Sequence, residues 1–244
     1  MAPTRVALVI PARDEPGSIG AVLSEIPPST VEEVFVVVGS TADPTAGVAA
    51  AHGARALAQT RSGYGAACRT GAWAALGSGA EVVAFLDGDY SDPPAELPRV
   101  LRPVLAGAAD LALGCRELAA HPDALPPHAR LGNRLVLGAL RALLGRSLRD
   151  LPSFKAIRAD RLPLLEMREM TYGWTAEMLV KAVRAGLRIA EVPVAYRPRL
   201  TGRSKVSGTF HGTLGAAWKL CWCAVRYATW RPDGRALQTG ELAT

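Results

Sequence analysis

Cysteine is scarce in this chain: Cys68, Cys115, Cys221 and Cys223 are its four, and no two of them form a Cys-x-x-Cys pair. That spacing shows no regular disulfide framework, and reduced thiols in a cytoplasmic protein are the expectation. Histidine is equally rare, and His121 and His128, in a Pro-rich stretch, have no Cys or carboxylate at ligand spacing. Aromatic residues make up 6% of the chain, and no aromatic-studded basic strand or nucleic-acid motif occurs, so nucleic acid is not an expected partner. Long apolar runs are missing too. The longest candidate, Leu214 to Trp230, carries Lys219 and Arg226 and falls short of the ~20 residues a bilayer span needs. No charged region followed by an apolar core opens the chain, so no secretory signal is expected. The glycine-rich stretch Gly63-Tyr64-Gly65-Ala66-Ala67 lacks the Lys-Ser/Thr ending of a P-loop, which argues against ATP hydrolysis.

What is present is a set of buried-looking strands with polar ends. At 244 residues and 49% apolar content the chain can bury a full core. Val6 to Ile10, Val34 to Val38 and the run from Val82 are apolar throughout, each ends in a small or polar loop, and helix-length stretches separate them. The first is followed by a helical pattern around Ile19, Val22, Leu23 and Ile26, the second by an alanine-rich segment. Such strands predict an α/β protein, a mainly parallel central sheet with helices on both faces. Ligands of these sheets bind at the carboxyl ends of the strands. There the third strand runs into Asp87-Gly88-Asp89. Alternate residues of an extended chain point the same way, so both carboxylates can face one point, and like charges sit together when a cation joins them. Hard oxygen ligands suit Mg²⁺ or Mn²⁺, with positions left open for a diphosphate. An ordinary Asp-Gly turn is the alternative on these residues alone.

The stretches VALVIPARDEPGSI, GSTADPTAGVA, GYGAACRTG, FLDGDYSDPP, LALGCRE, DLPSFKAIR, YGWTAEMLVKA and RPRLTGRSKVSGT occur in that order. In this order they resemble the landmarks of family 2 glycosyltransferases, closest to the polyprenyl- or dolichyl-phosphate sugar synthase branch. The resemblance runs from about Val6 to about Thr213. It implies a GT-A (Rossmann-like nucleotide-diphospho-sugar transferase) fold over residues 1–211. By its own spacing and charge, 212–244 reads as a basic amphipathic helix and tail. The resemblance also implies a nucleotide-sugar donor, a divalent metal and inversion at the anomeric carbon. Carried across residue by residue, Pro11, Ala12 and Glu15 hold the nucleoside, and Asp87 and Asp89, with Gly88 between them, hold metal and donor diphosphate. Arg116, Arg203 and Lys205 handle phosphates, with Arg130 or Arg134 as further counterparts. Read from the residues alone, the glycines around Gly65 let a loop and helix start approach a nucleotide, with Arg69 near the diphosphate, or form a tight turn with no ligand. Two positions depart from the pattern. Val38 and Gly39 stand where many relatives have an acidic residue on the base, and Ser91, followed by Asp92, stands where the synthases often have Gln.

The acceptor decides whether a general base is needed, because a phosphate is already ionised whereas a hydroxyl must lose its proton. Asp150 and Glu177 are the candidates, and each has a plain alternative, a turn carboxylate for the first and a helix-start acid for the second. A polyprenyl phosphate or another small acceptor fits the resemblance. Eight basic residues between Tyr196 and Arg235 face Asp233 alone, leaving the rest of the +6 chain close to neutral, so an anionic partner is expected near the C-terminal end. The segment Leu214 to Trp230 suits either packing on the domain or lying in a membrane interface through Trp218, Trp222 and Trp230, which would make the enzyme cytoplasmic but peripheral at the membrane. A sugar nucleotidyltransferase and a noncatalytic sugar-nucleotide or lipid-binding protein remain the two other readings.

Overall fold

The computed structural model describes residues 4–118, 121–201 and 210–232. Seven strands form one sheet: β1 (Val6–Pro11), β2 (Glu33–Val38), β3 (Arg55–Ala58), β4 (Val82–Phe85), β5 (Leu111–Glu117), β6 (Lys155–Arg158) and β7 (Ile189–Ala195). Their order is β3-β2-β1-β4-β6-β5-β7. The three strands read from sequence pair in parallel, with β1 between β2 and β4. Only β6 runs against the rest, inserted antiparallel between β4 and β5.

The apolar runs are continuous because both faces of the sheet are covered. Val9, Phe35, Val37, Val83 and Phe85 point to one side, where α3 (Tyr64–Gly77) and α6 (Trp174–Arg184) bring Cys68, Ala72, Trp174 and Met178. Leu8, Ile10, Val36 and Val38 point to the other, against α1 (Ile19–Ser24), α2 (Pro44–Ala51) and α4 (Leu97–Leu105), with Ile19, Val22, Ala49 and Leu101 in contact. The remaining helices, α5 (Pro127–Leu144) and α7 (Phe210–Tyr227), join α6 in a separate cluster of Val136, Leu140, Val180, Ala224 and Tyr227. The C-terminal helix is therefore packed on the domain along one side.

Among the described residues no helix is long and apolar enough to cross a membrane.

Candidate active site

β4 leads straight into the acidic pair. Leu86 is still buried, its N–H donating to the Val9 carbonyl at 3.1 Å, and the chain then turns through Asp87, Gly88 and Asp89 at the carboxyl edge of the sheet. Gly88 is needed for the close pass beside β1: a Cβ there would lie 2.8 Å from the Cβ of Ala12, and its carbonyl accepts from Ser18 Oγ at 2.8 Å. Asp89 is held from both sides. Its Oδ1 accepts from the Ser91 N–H at 2.9 Å and from Ser91 Oγ at 2.6 Å, while Oδ2 faces Arg199 Nη2 at 2.7 Å. Ser91 thus orients the first carboxylate oxygen. Arg199 also reaches Glu15 Oε1 at 3.6 Å, tying the β1 loop to the acidic pair.

Asp87 accepts from the Tyr64 hydroxyl at 3.1 Å. Burial, then the neighbouring Asp89 charge, raise its carboxyl to about 6. Asp92 goes further, to about 8, again through burial and then the charges of Asp87 and Asp89. Ser153 Oγ donates to Asp92 Oδ2 at 3.1 Å, and Oδ1 is buried with no hydrogen-bond partner among the described residues. Below these acids Lys155 is fully enclosed, bonded to Thr175 Oγ1 at 2.9 Å. Burial pulls its ammonium down to about 8, against the opposing attraction of Cys68, Asp87 and Asp92.

The Asp92 shift has a stability consequence. Its carboxyl titrates near 3.8 when unfolded and near 8 when folded, so below about pH 4 both states are protonated and nothing is lost. As pH rises towards 8 the unfolded state gains by ionising while the folded state cannot, and stability falls. Asp92→Asn should therefore stabilise the metal-free protein at pH 8, where the buried carboxyl resists ionisation, and leave it unchanged at pH 4. Thermal unfolding at the two pH values checks this; an equal difference at both would show that titration is not the cause.

Beside the acidic pair, a cleft of about 500 Å³ opens where β1, β2 and β3 end, lined by Arg13, Asp14, Ser40, Asp43, Gln59 and Arg61 among others. Asp43 builds its wall, capping α2 through Thr45 N at 2.9 Å and accepting from the Asp14 N–H at 2.9 Å. The space at Gly39 is filled by Arg13, whose Cγ and Cδ would lie 3.3 Å from an added Cβ. A basic side chain thus occupies the place beside the missing acid. Of the nucleoside candidates, Pro11 ends β1, and Ala12 is buried with its N–H on Val37 O at 2.9 Å. Glu15 belongs to the Arg199 ion pair, with its N–H on Thr45 Oγ1 at 2.9 Å.

Several sequence candidates are engaged by partners within the protein. Arg116 forms a two-pronged pair with Asp150, Nε to Oδ2 at 2.7 Å and Nη2 to Oδ1 at 2.6 Å. Asp150 also accepts from the N–H groups of Arg116 and Leu151 and from Asn133 Nδ2, and this web holds its carboxyl below the usual range in spite of burial. So bound, Asp150 orients Arg116 and is poorly suited to take a proton. Glu177 is turned away from the acidic pair into the core. It accepts the N–H of Arg168 at 3.0 Å and of Glu169 at 2.6 Å and pairs with Lys181 Nζ at 2.7 Å, both side chains fully buried.

Gly65 serves the protein rather than a nucleotide. A Cβ there would overlap the Glu169 carbonyl oxygen, and its N–H and that of Ala66 donate to Thr171 O and Met170 O at 3.2 and 2.9 Å. The start of α3 is thereby spent on the 169–171 loop. Gly65→Ala should destabilise by about 1–3 kcal/mol, as overpacking does, with donor affinity of the folded fraction unchanged; a selective loss of nucleotide binding at normal stability would contradict this. Arg69 is half-buried with no polar partner among the described residues. Arg130 is tied to Leu125 O at 2.8 Å, and Arg134 is exposed on α5. Arg203 and Lys205 lie outside the described residues.

Two residues at the acidic corner carry no distinct sequence signal: Arg199, one more charge in the RPRLTGRSK stretch, and Tyr64, between two glycines. Nor do Arg13 and Asp14, which line the cleft between the candidates Ala12 and Glu15.

A mainly parallel α/β sheet with a cleft and two carboxylates at its carboxyl edge is the architecture of GT-A glycosyltransferases. The chain belongs to glycosyltransferase family 2, whose sequence model, described as Glycosyl transferase family 2, matches residues 7–158. It is 35% identical over 223 residues to an uncharacterised glycosyltransferase of Mycobacterium tuberculosis, covering 90% of this chain and 99% of that one. An undecaprenyl-phosphate mannosyltransferase of Micrococcus luteus is 31% identical over 231 residues, 87% of this chain and 90% of that one. The fold is shared with glucosyl-3-phosphoglycerate synthase from Mycobacterium tuberculosis, solved with Mn²⁺, uridine diphosphate and glucosyl-3-phosphoglycerate. There the TM-score is 0.71 at 23% identity, covering 96% of this chain and 82% of that one.

Proposed function

We propose that this glycosyltransferase moves a hexose, with inversion, from a UDP-glucose or GDP-mannose type donor to the phosphate of a polyprenyl phosphate, with Mg²⁺ or Mn²⁺ bound alongside the donor. The observation that carries the acceptor class is the state of the two base candidates: Asp150 is saturated by Arg116, Asn133 and backbone N–H groups, and Glu177 is buried in an ion pair. A phosphate oxygen attacks without giving up a proton, so neither is required. The undecaprenyl-phosphate mannosyltransferase among the relatives supports the same class.

The donor set fits a divalent cation. Two carboxylates share one corner, one of them already drawn to the guanidinium of Arg199, and among the described residues no cluster of three or more Asp, Glu, His or Cys converges. Remaining ligands would thus arrive with the diphosphate, as is usual for Mg²⁺ and Mn²⁺ on nucleotides. Asp87 and Asp89 would hold the ion, which when bound neutralises charge on the departing diphosphate. Tyr64 and Ser91 orient the two carboxylates, Arg199 adds a fixed positive charge, and the cleft by Arg13 and Asp43 receives the nucleoside. Arg116, held by Asp150 and facing the Tyr196 ring at 5.3 Å, would meet the acceptor phosphate.

The test is nucleoside diphosphate release from a donor panel with Mn²⁺, Mg²⁺ or EDTA, with polyprenyl phosphate and with 3-phosphoglycerate as acceptors. Metal-dependent release stimulated by polyprenyl phosphate supports the reading. Stimulation by 3-phosphoglycerate alone moves the acceptor to a soluble phosphate, pyrophosphate as product indicates a nucleotidyltransferase, and binding without turnover indicates a noncatalytic protein.

A further inference from the structure

We propose that the outward faces of α5 and α7 together form a docking surface for an anionic lipid bilayer. The two helices pack on each other and on α6 through Val136, Leu140, Ala224 and Tyr227. Among the described residues, the opposite stripe of each is uncovered and mainly apolar. On α5, Leu131 and Leu135 are 58% and 59% exposed; on α7, Trp218 and Val225 are 75% and 61% exposed, with Trp222 also open to solvent. Positions 131 and 135, and 218, 222 and 225, recur at helical spacing, so each set is one stripe. Grouped exposure of large apolar side chains on neighbouring elements marks an interaction surface.

Charge selects the occupant. Neither 18-residue helix contains an Asp or Glu. Arg134, Arg141 and Arg226 are exposed among the apolar residues, and the Arg226 guanidinium lies 4.9 Å over the Trp222 ring. Tryptophan and arginine side by side suit the headgroup boundary, where the ring sinks into the acyl edge and the cation meets phosphate. A second copy of the chain fits poorly, because pairing this face with itself sets arginines against arginines. Trp230, expected as a third anchor, faces inward instead: the Lys181 ammonium lies 5.1 Å from its ring and its carbonyl accepts from Arg184. The second helix of the surface is α5, whose inner side reaches the reaction site through Asn133 on Asp150 at 2.9 Å. A docked α5 would hold Arg116 close to the lipid headgroups. This surface rests on exposure and charge and deepens the polyprenyl-phosphate reading, since that acceptor is anchored in a bilayer.

The experiment is flotation of the full chain with vesicles containing phosphatidylglycerol or only phosphatidylcholine, alongside nucleoside diphosphate release from soluble donor without vesicles. The wild type should float with phosphatidylglycerol vesicles at low salt and much less with phosphatidylcholine alone. Trp218→Gln/Trp222→Gln should cut partitioning by about tenfold or more, while the exposed Trp73→Gln control on α3 leaves it unchanged. Equal flotation of the double variant, absence of flotation by the wild type, or a micromolar dimer that the double variant abolishes would overturn the surface. Donor turnover without flotation overturns the surface alone, and flotation without turnover overturns the transferase reading alone.

Discussion

Asp89→Ala lowers metal-dependent release of nucleoside diphosphate by about 100- to 1000-fold, the scale on which one preorganised electrostatic group counts. The size follows from what converges on this carboxylate. Ser91 fixes one oxygen with two hydrogen bonds and Arg199 faces the other at 2.7 Å, so the side chain is set before any ligand arrives. Alanine removes a proposed metal ligand and leaves Arg199 without its partner on Asp89. Donor and Mn²⁺ protection against thermal unfolding should vanish together with turnover. Asp89→Asn keeps the shape and the Ser91 bonds but halves the negative charge of the pair, so it should lose metal protection too. Turnover near the wild-type rate in Asp89→Ala with Mn²⁺ present would end the assignment of this site.

The largest stability loss should come from Glu177→Ala, about 3–5 kcal/mol, the cost of leaving one member of a buried ion pair alone. Lys181 would then be buried with only the Glu166 carbonyl, at 2.7 Å, and the Tyr227 and Trp230 rings around it. The N–H groups of Arg168 and Glu169 would lose their acceptor as well. Because the 169–171 backbone closes over Gly65, loosening it should also free the start of α3, which carries Tyr64 to Asp87. Turnover therefore falls through positioning, with an unchanged pH profile. Urea denaturation measures the loss. A normal midpoint with collapsed turnover and an altered pH profile would return Glu177 to the role of base.

Much of the site was legible because strands state their direction. Continuous apolar runs such as Val6 to Ile10 can be buried only in a sheet covered on both faces, and the polar residues that follow each run mark its carboxyl edge. The acidic pair fell at that edge from pattern alone. Glu177 and Asp150 were harder, because a carboxylate in a list of residues looks the same whether it meets substrate or an internal partner. Lys181 lies one helical turn from Glu177 and signals a pair, but nothing local says that the pair is buried. Gly65 looks in the sequence like room for a nucleotide, whereas the crowding comes from the Glu169–Met170 backbone.

By itself the sequence determined the parallel α/β sheet, the place of Asp87 and Asp89 at its edge, and the concentration of positive charge near the C-terminal end, since each follows from spacing and charge along the chain. Only the tertiary structure decided that Arg199 completes the acidic corner, that Asp150 clasps Arg116, that Trp230 turns inward while Trp218 and Trp222 face out, and that α5 lies beside α7. Those outcomes depend on which distant residues share a low-dielectric interior, where a partner is chosen by packing and not by distance along the chain.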